Sequence, residues 1–314
     1  MSTSVVIPCY RSAATLRPLV ERLLPVLGEL GGGHEVILVV DGSPDDTWSV
    51  AAGLAEEHSA VRAVRLSRNY GQHNALLAGI RLARYDCTVT MDDDLQHLPE
   101  EVPHLVAALQ GDVELVYGAP RVEEHGWLRS MASRSVKFAI GRSANLENVT
   151  DISAFRAFHT YLRDAFALLD APDVNLDVAL SWATTRAVSV PVDMDRRREG
   201  TSNYTPRMLV RHAVNMVLGY SVAPLRFVIY LGIACGLLGL VLLTVILYQY
   251  FADHIQVAGF TTIASMVAIF SSAQMVAIGV LGEYIGRIHG ANAGRPTYVV
   301  RERSDADAHP DLPG

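Results

Sequence analysis

Short apolar runs alternate with longer stretches of helical spacing through the first third of the chain. Ser4–Cys9 (SVVIPC), Glu35–Val40 (EVILVV), Val61–Leu66 and Cys87–Met91 (CTVTM) read as buried strands, rich in β-branched residues and ended by turn formers. Between them, Thr15–Leu30 carries Leu16, Leu19, Val20, Leu23, Leu24 and Leu27 at helical spacing. Thr47–His58 and Asn74–Arg84 give two further helices, the second with Leu76, Leu77, Ile80 and Leu82 on one stripe. Strands that alternate with helices of this length predict a parallel α/β sheet, and such sheets bind ligands beyond the carboxyl ends of their strands. Four polar clusters fall there: Tyr10–Ser12, Asp41–Ser43, Ser67–Gln72 and Asp92–Gln96.

The pattern changes completely in the last third. No charged residue occurs over the 25 positions from Phe227 to Phe251, nor from Ala258 to Gly282. Each run is long enough to cross a hydrocarbon layer of about 30 Å at about 1.5 Å per residue. The connecting Ala252–Val257 carries Asp253 and no arginine or lysine, whereas Arg207, Arg211 and Arg226 precede the pair and Arg287, Arg295, Arg301 and Arg303 follow it. The positive-inside rule then predicts a hairpin with both flanks and both termini in the cytoplasm. Pro206–Val222 suits an amphipathic helix at a membrane surface and, equally, a helix packed on a core. The expected organisation is a cytoplasmic catalytic domain over 1–205, an amphipathic juxtamembrane helix over 206–225, a hairpin over 226–286 and a cytoplasmic C-terminal tail over 287–314, polar from Arg303 onward.

Composition adds limits. Half of the 314 residues are hydrophobic, 19% are charged and the mean hydropathy is +0.22, which excludes disorder as the dominant state. A net charge of −7 argues against bulk nucleic-acid binding. Cys9, Cys87 and Cys235 form neither a metal spacing nor a disulfide framework and fit a reducing compartment. The N-terminal MSTSVVIPCY shows no basic segment leading into a long apolar stretch, so no cleaved signal peptide is expected.

Asp92-Asp93-Asp94-Leu95-Gln96 is the sharpest chemical signal. Two carboxylates two residues apart, just past a buried strand, suit one hard divalent cation, Mg²⁺ or Mn²⁺, shared with substrate phosphates, and Gln96 adds a neutral oxygen. Asp41 in Asp41-Gly42-Ser43 suits hydrogen bonds to a nucleoside, and Gly71 permits close backbone approach beside Asn69. Arg129 and Ser133 share a helix face and, with Arg121, suit phosphate oxygens. Arg196-Arg197-Arg198 is a second basic cluster before Gly200. Each of these motifs alone also reads as an ordinary turn or solvated charge.

Taken together, SVVIPCY, VVDGS, LSRNYGQHNALLAGI, MDDDLQHLPEE, GTSNY, APLR, LGEYIGRI and RPTYVVRE closely resemble the family 2 glycosyltransferases that act on polyprenyl phosphates. These include the dolichol-phosphate mannosyltransferase-like enzymes and a bacterial branch, with two C-terminal transmembrane helices, that charges undecaprenyl phosphate. The resemblance implies a GT-A (Rossmann-like) domain plus a C-terminal two-helix hairpin, and inverting transfer from a nucleotide sugar. It implies metal ligation by Asp92, Asp94 and Gln96, and nucleotide contacts from Pro8, Tyr10, Asp41, Asn69, Gly71 and Asp93. It further implies an acceptor-phosphate site at Arg121, Arg129 and Ser133, and catalytic roles for Asp151 and Arg197. Its partners are a nucleotide sugar, a polyprenyl phosphate and the membrane, with room for a homo-oligomer. The alternatives are a different acceptor or a non-catalytic membrane scaffold. The chain departs from the family pattern at Arg11-Ser12, where Asn-Glu is usual, at Val40 in place of an acid, at Asn203 in place of lysine, and at Ala154.

Overall fold

The computed structural model describes residues 1–121, 152–166, 175–195, 223–252 and 259–304. They fall into two compact units, a sheet unit and a helical unit.

The sheet unit begins with β1 (Thr3–Cys9), α1 (Leu16–Glu29), β2 (His34–Val40), α2 (Thr47–Glu57), β3 (Val61–Leu66), α3 (Gln72–Leu82) and β4 (Cys87–Thr90), in the order that the sequence pattern predicts. A short 3₁₀ turn leads into α4 (Val102–Ala108), followed by β5 (Leu115–Pro120), β6 (Arg156–His159), α5 (Leu176–Ala183) and β7 (Ala187–Val192). β8 (Val300–Arg303) completes an eight-stranded sheet of order β7-β5-β6-β4-β1-β2-β3-β8.

β1 is parallel to both β2 and β4, and β2 is parallel to β3, as expected. The sheet as a whole is mixed, because β6 runs antiparallel to β4 and β5, and β8 antiparallel to β3. Two reversals restore direction, so β5 and its parallel neighbour β7 point the same way as β4. Six strands therefore end on one rim.

Burial follows the apolar pattern. Leu16, Leu19, Val20, Leu23 and Leu27 of α1 are fully buried against the sheet, each contributing about 1.5–3 kcal/mol relative to exposure. β1 and β2 are covered on both faces, which explains their continuous apolar runs. Gly79 lets α3 lie close on the sheet: a Cβ there would sit 2.3 Å from Val6 Cγ1 and 2.9 Å from Val39 Cγ2.

The segment expected as a C-terminal tail supplies β8, with Val64 opposite Arg303 and Arg65 opposite Glu302. Ser67 N–H also donates to Val299 O at 2.9 Å. The four charged or polar positions in RERS hid this edge strand from a hydropathy reading. An edge strand with one open side tolerates charge and is protected by it.

The helical unit holds α6 (Ala223–Ala252) and α7 (Phe260–Asn292). Pro224–Val245 and Ile269–Gly290 are long and apolar enough to cross a membrane, with mean hydropathies of 2.5 and 1.3. Their apolar side chains face outward: Leu237, Leu240, Val241 and Ile278 are all about three-fifths exposed. Apolar character all round a helix suits a lipid surrounding. Gly239 faces the Phe270 ring, where a Cβ would approach to 3.1 Å, so the small residue admits the ring between the helices.

Candidate active site

The rim is knitted by hydrogen bonds between successive strand ends. After β1, Tyr10 N–H donates to Asp93 Oδ2 at 3.1 Å and the Ser12 hydroxyl bonds the same oxygen. Arg11 N–H donates to Ser43 Oγ at 2.8 Å, and Ser12 N–H to Thr47 Oγ1 at 2.9 Å, joining the β1 and β2 turns. Arg11 takes a φ of 58° to do so. Ser12, at the family's usual glutamate position, is thus a buried structural hydroxyl.

Asp41 follows β2 and is 3% exposed. Its Oδ1 accepts from Tyr70 N–H at 2.7 Å and its Oδ2 from Gly71 N–H at 2.8 Å. Burial pushes its carboxyl up, while these two amide bonds oppose the shift. Gly42 makes the approach possible, with a φ of 56° and an absent Cβ that would overlap Arg68 C at 2.2 Å. Asn69 Oδ1 also accepts from Gly71 N–H, at 3.1 Å. Pro8 is buried within β1, whereas Tyr10 is 43% exposed.

The acidic turn follows β4. Asp93 turns inward, and burial, reinforced by Asp92 and Asp94, raises its carboxyl to about 6 against the bonds from Ser12 and Tyr10. Asp92 and Asp94 flank it, half-buried. Gln72 Nε2, at the start of α3, donates to Asp92 Oδ1, and Gln96 N–H donates to Asp94 Oδ1 at 3.1 Å. Leu95 takes a φ of 63°, reversing the chain between Asp94 and Gln96. Asp92 N–H donates to His97 Nδ1 at 3.0 Å. His97 is stacked on Phe155, with ring centroids 4.9 Å apart, and burial lowers it to about 4. The imidazole is therefore neutral, with its proton on Nε2.

Among the described residues no three His, Cys, Asp or Glu side chains cluster as a self-sufficient ion cage. Two carboxylates and an amide oxygen on one turn are instead a hard, incomplete donor set of the kind that substrate phosphates complete.

Arg121 follows β5 on the same rim. It is exposed, its N–H donates to Val192 O at 3.2 Å, and its Nε lies 3.4 Å from Asp193 Oδ1 after β7. Asp195 N–H donates to Gln96 O at 2.9 Å, tying the β7 end to the acidic turn. Asp151, Arg129, Ser133 and Arg197 lie outside the described residues, as does Pro206–Val222.

Sequence reasoning gave no role to Gln72, His97 or Arg156, and read Asn175-Leu176-Asp177 either as a simple loop or as a lining of the donor-sugar pocket. Gln72 and His97 stand inside the quoted motifs, and Arg156 two residues after Ala154. Buried or strand-end polar residues beside a candidate ligand were the available signal.

Comparison with known proteins accords with this geometry. Residues 4–167 match the model of glycosyl transferase family 2, and residues 223–288 match the GtrB C-terminal hairpin. The undecaprenyl-phosphate 4-deoxy-4-formamido-L-arabinose transferase of Sodalis glossinidius is 32% identical over 95% of this chain and 92% of its own. Its counterpart from Enterobacter sp. (strain 638) is 33% identical over the same shares. Among solved structures, glucosyl-3-phosphoglycerate synthase from Mycobacterium tuberculosis, in complex with Mn²⁺, UDP and phosphoglyceric acid, aligns with a TM-score of 0.54 and 22% identity. The alignment covers 70% of this chain and 78% of that one, a likeness of fold. The chain is a glycosyltransferase and belongs to glycosyl transferase family 2.

Proposed function

We propose that the protein transfers a sugar from a nucleotide-sugar donor to undecaprenyl phosphate, with inversion at the anomeric carbon, at the cytoplasmic face of the inner membrane. The observation that carries this reading is continuous similarity, through sheet unit and hairpin alike, to transferases named for undecaprenyl phosphate.

Asp92, Asp94 and Gln96 would hold a divalent cation, which when bound neutralises charge on the diphosphate leaving group. Asp93 and Asp41 serve this site from within, by fixing the β1 turn and the Asn69–Gly71 loop against which the nucleotide lies. Exposed Tyr10 and the backbone at Gly71 then face the nucleoside, with Pro8 holding the β1 end.

The acceptor is a phosphate monoester with a second pKa of about 6. It is largely dianionic at pH 7, so attack needs no strong general base. Asp151 accordingly orients groups and supports developing positive charge on the sugar. Arg121, Arg129 and Ser133 bind the acceptor phosphate, and Arg197 brings it against the donor despite their repulsion.

The hairpin keeps the enzyme at the surface where the acceptor's tail is confined. β8 pairs with β3, so the chain re-enters the sheet unit after the hairpin. Two crossings would return it to the side it left, and arginine flanks at 226, 287, 295, 301 and 303 support the cytoplasm as that side.

The test uses purified full-length protein, undecaprenyl phosphate and a panel of UDP- and GDP-linked sugars, with Mg²⁺ or Mn²⁺. A lipid product heavier by one glycosyl group, lost on chelation and regained on adding the ion, is expected. No product from any donor in the panel overturns the reading.

A further inference from the structure

A second carboxylate stands beside the acidic turn in unusual surroundings. Arg156, at the start of β6, is 1% exposed and lies opposite Thr90 and Tyr117 in the strand ladders. Its guanidinium bonds Asp177 Oδ1 near the start of α5. The Tyr117 hydroxyl donates to that same oxygen at 3.5 Å, and the guanidinium lies 6.0 Å from the Tyr117 ring centroid. Asn175 caps the helix by accepting from the N–H groups of Asp177 and Val178, which fixes the backbone beneath the carboxylate. Asp177 Oδ2, by contrast, takes no hydrogen bond among the described residues, although the side chain is only 13% exposed.

The carboxylate sits beside the reaction rim. Thr90, opposite Arg156, is two residues before Asp92. Gln72 donates to Asp92, and the adjacent His73 accepts from Leu176 N–H at 3.3 Å, next to Asp177. The first turn of α3 therefore bridges Asp92 and Asp177.

A purely structural ion pair in so buried a place is readily replaced by apolar packing, and it gains most when both oxygens are filled. Among the described residues one oxygen is pinned by two donors and the other is left open. Arg156 also cancels the charge of Asp177, which would otherwise add to three neighbouring aspartates. What remains is an oriented acceptor with little net charge. Such a group neither attracts phosphate nor competes for the cation, but it suits a neutral polyol.

We propose that Asp177 is the donor-sugar specificity residue: its open oxygen accepts hydrogen bonds from hydroxyl or N–H groups of the transferred sugar, while Arg156 and Tyr117 hold it in place. The proposal rests on the transfer reading above and adds the group that selects the sugar.

The experiment takes the best donor from the UDP- and GDP-linked panel and its monodeoxy analogues, with wild type and Asp177→Asn. In wild type, removal of the hydroxyl that Asp177 reads is expected to lower kcat/KM roughly 10- to 100-fold, the worth of a hydrogen bond to a charged group. In Asp177→Asn that same removal should cost much less, while the other deoxy positions cost what they do in wild type. Bare UDP or GDP should bind both proteins alike by calorimetry, whereas the nucleotide sugar should bind the variant more weakly. Where Asp177→Asn alone fails to fold, Arg156→Met combined with Asp177→Asn removes both buried charges and carries the same expectation. Equal deoxy penalties in wild type and variant at every position overturn the assignment. Wild type that turns over no donor overturns the transfer reading itself.

Discussion

The two acidic turns on the rim, Asp41-Gly42-Ser43 and Asp92-Asp93-Asp94, look alike in sequence and are used differently. Asp41 gives one oxygen each to the N–H groups of Tyr70 and Gly71, and Asp93 is engaged by Tyr10 and Ser12. Both draw a neighbouring loop onto the rim. Asp92 and Asp94 lie on either side of Asp93 and are half-buried. Asp93 is half-buried like them, but its carboxylate is taken up by the β1 turn, whereas Asp92 meets the Gln72 side chain and Asp94 the backbone of Gln96. A carboxylate count in a motif is thus not a ligand count: Asp41 and Asp93 hold loops in place, and Asp92 and Asp94 are the candidate ligands.

Substitution separates the two uses. Asp94→Ala should lower transfer by about 10³-fold or more, since neutralising a leaving diphosphate is worth several kcal/mol, while thermal unfolding stays within about 0.5 kcal/mol of wild type. Full activity of this variant with Mg²⁺ present would remove Asp94 from the ligand set. Asp41→Ala should show the opposite profile. It strands the N–H groups of Tyr70 and Gly71 and should cost about 2 kcal/mol in a denaturant titration, with Asp41→Asn losing less because an acceptor oxygen remains. An unchanged midpoint for Asp41→Ala would mean that water satisfies both amides.

The same contrast marks how far the sequence could be read. Strands β1 to β4 and helices α1 to α3 were legible because each buries a continuous run or one clear stripe, such as Leu16 to Leu27. The candidate ligands were legible because Asp92 and Asp94 stand directly after a buried strand. The inward roles of Asp41, Asp93 and Ser12 were not legible, because their partners lie from 29 to 83 positions away and only the fold brings them together. β8 was hidden by its charges, and the antiparallel β6 (RAFH) by the arginine and histidine that bracket its two apolar residues. Arg156 and Asp177 meet only through the fold; the sequence marks Asn175-Leu176-Asp177 as a loop or a lining of the sugar pocket and gives no sign of the buried arginine that fixes the carboxylate.

A smaller effect is expected one step behind the candidate ligands. His97 accepts from Asp92 N–H and stacks on Phe155. His97→Phe keeps a ring against Phe155 and loses the acceptor, whereas His97→Asn keeps an oxygen near the position of Nδ1 and loses the stack. If the acceptor orients the turn, His97→Phe should weaken Mn²⁺ binding in the presence of UDP or GDP by about tenfold, as residues behind metal ligands commonly do. His97→Asn should recover most of it. Free Mn²⁺ measured by electron paramagnetic resonance reports this without reference to turnover. Equal affinities for His97→Phe and wild type would assign the hydrogen bond to folding alone.

The smallest effect concerns the backbone that lets Asp93 capture the β1 turn. Arg11 stands between Tyr10 and Ser12, the two donors to Asp93, and its φ of 58° is a left-handed conformation that costs most side chains about 1–2 kcal/mol. Asparagine tolerates that conformation better, and it is the residue usual at this position in the family. Arg11 also lies over the Tyr10 ring at 5.5 Å, an exposed contact worth about 0.5–1 kcal/mol that any truncation removes. Arg11→Asn and Arg11→Ala lose that contact equally and differ in the backbone term. The asparagine variant should therefore be the more stable of the two by about 1 kcal/mol, or about 2–4 °C in the melting of a domain of this size. Matching melting temperatures would mean that the left-handed turn is held without strain, and that the inward carboxylate has no local cost to overcome.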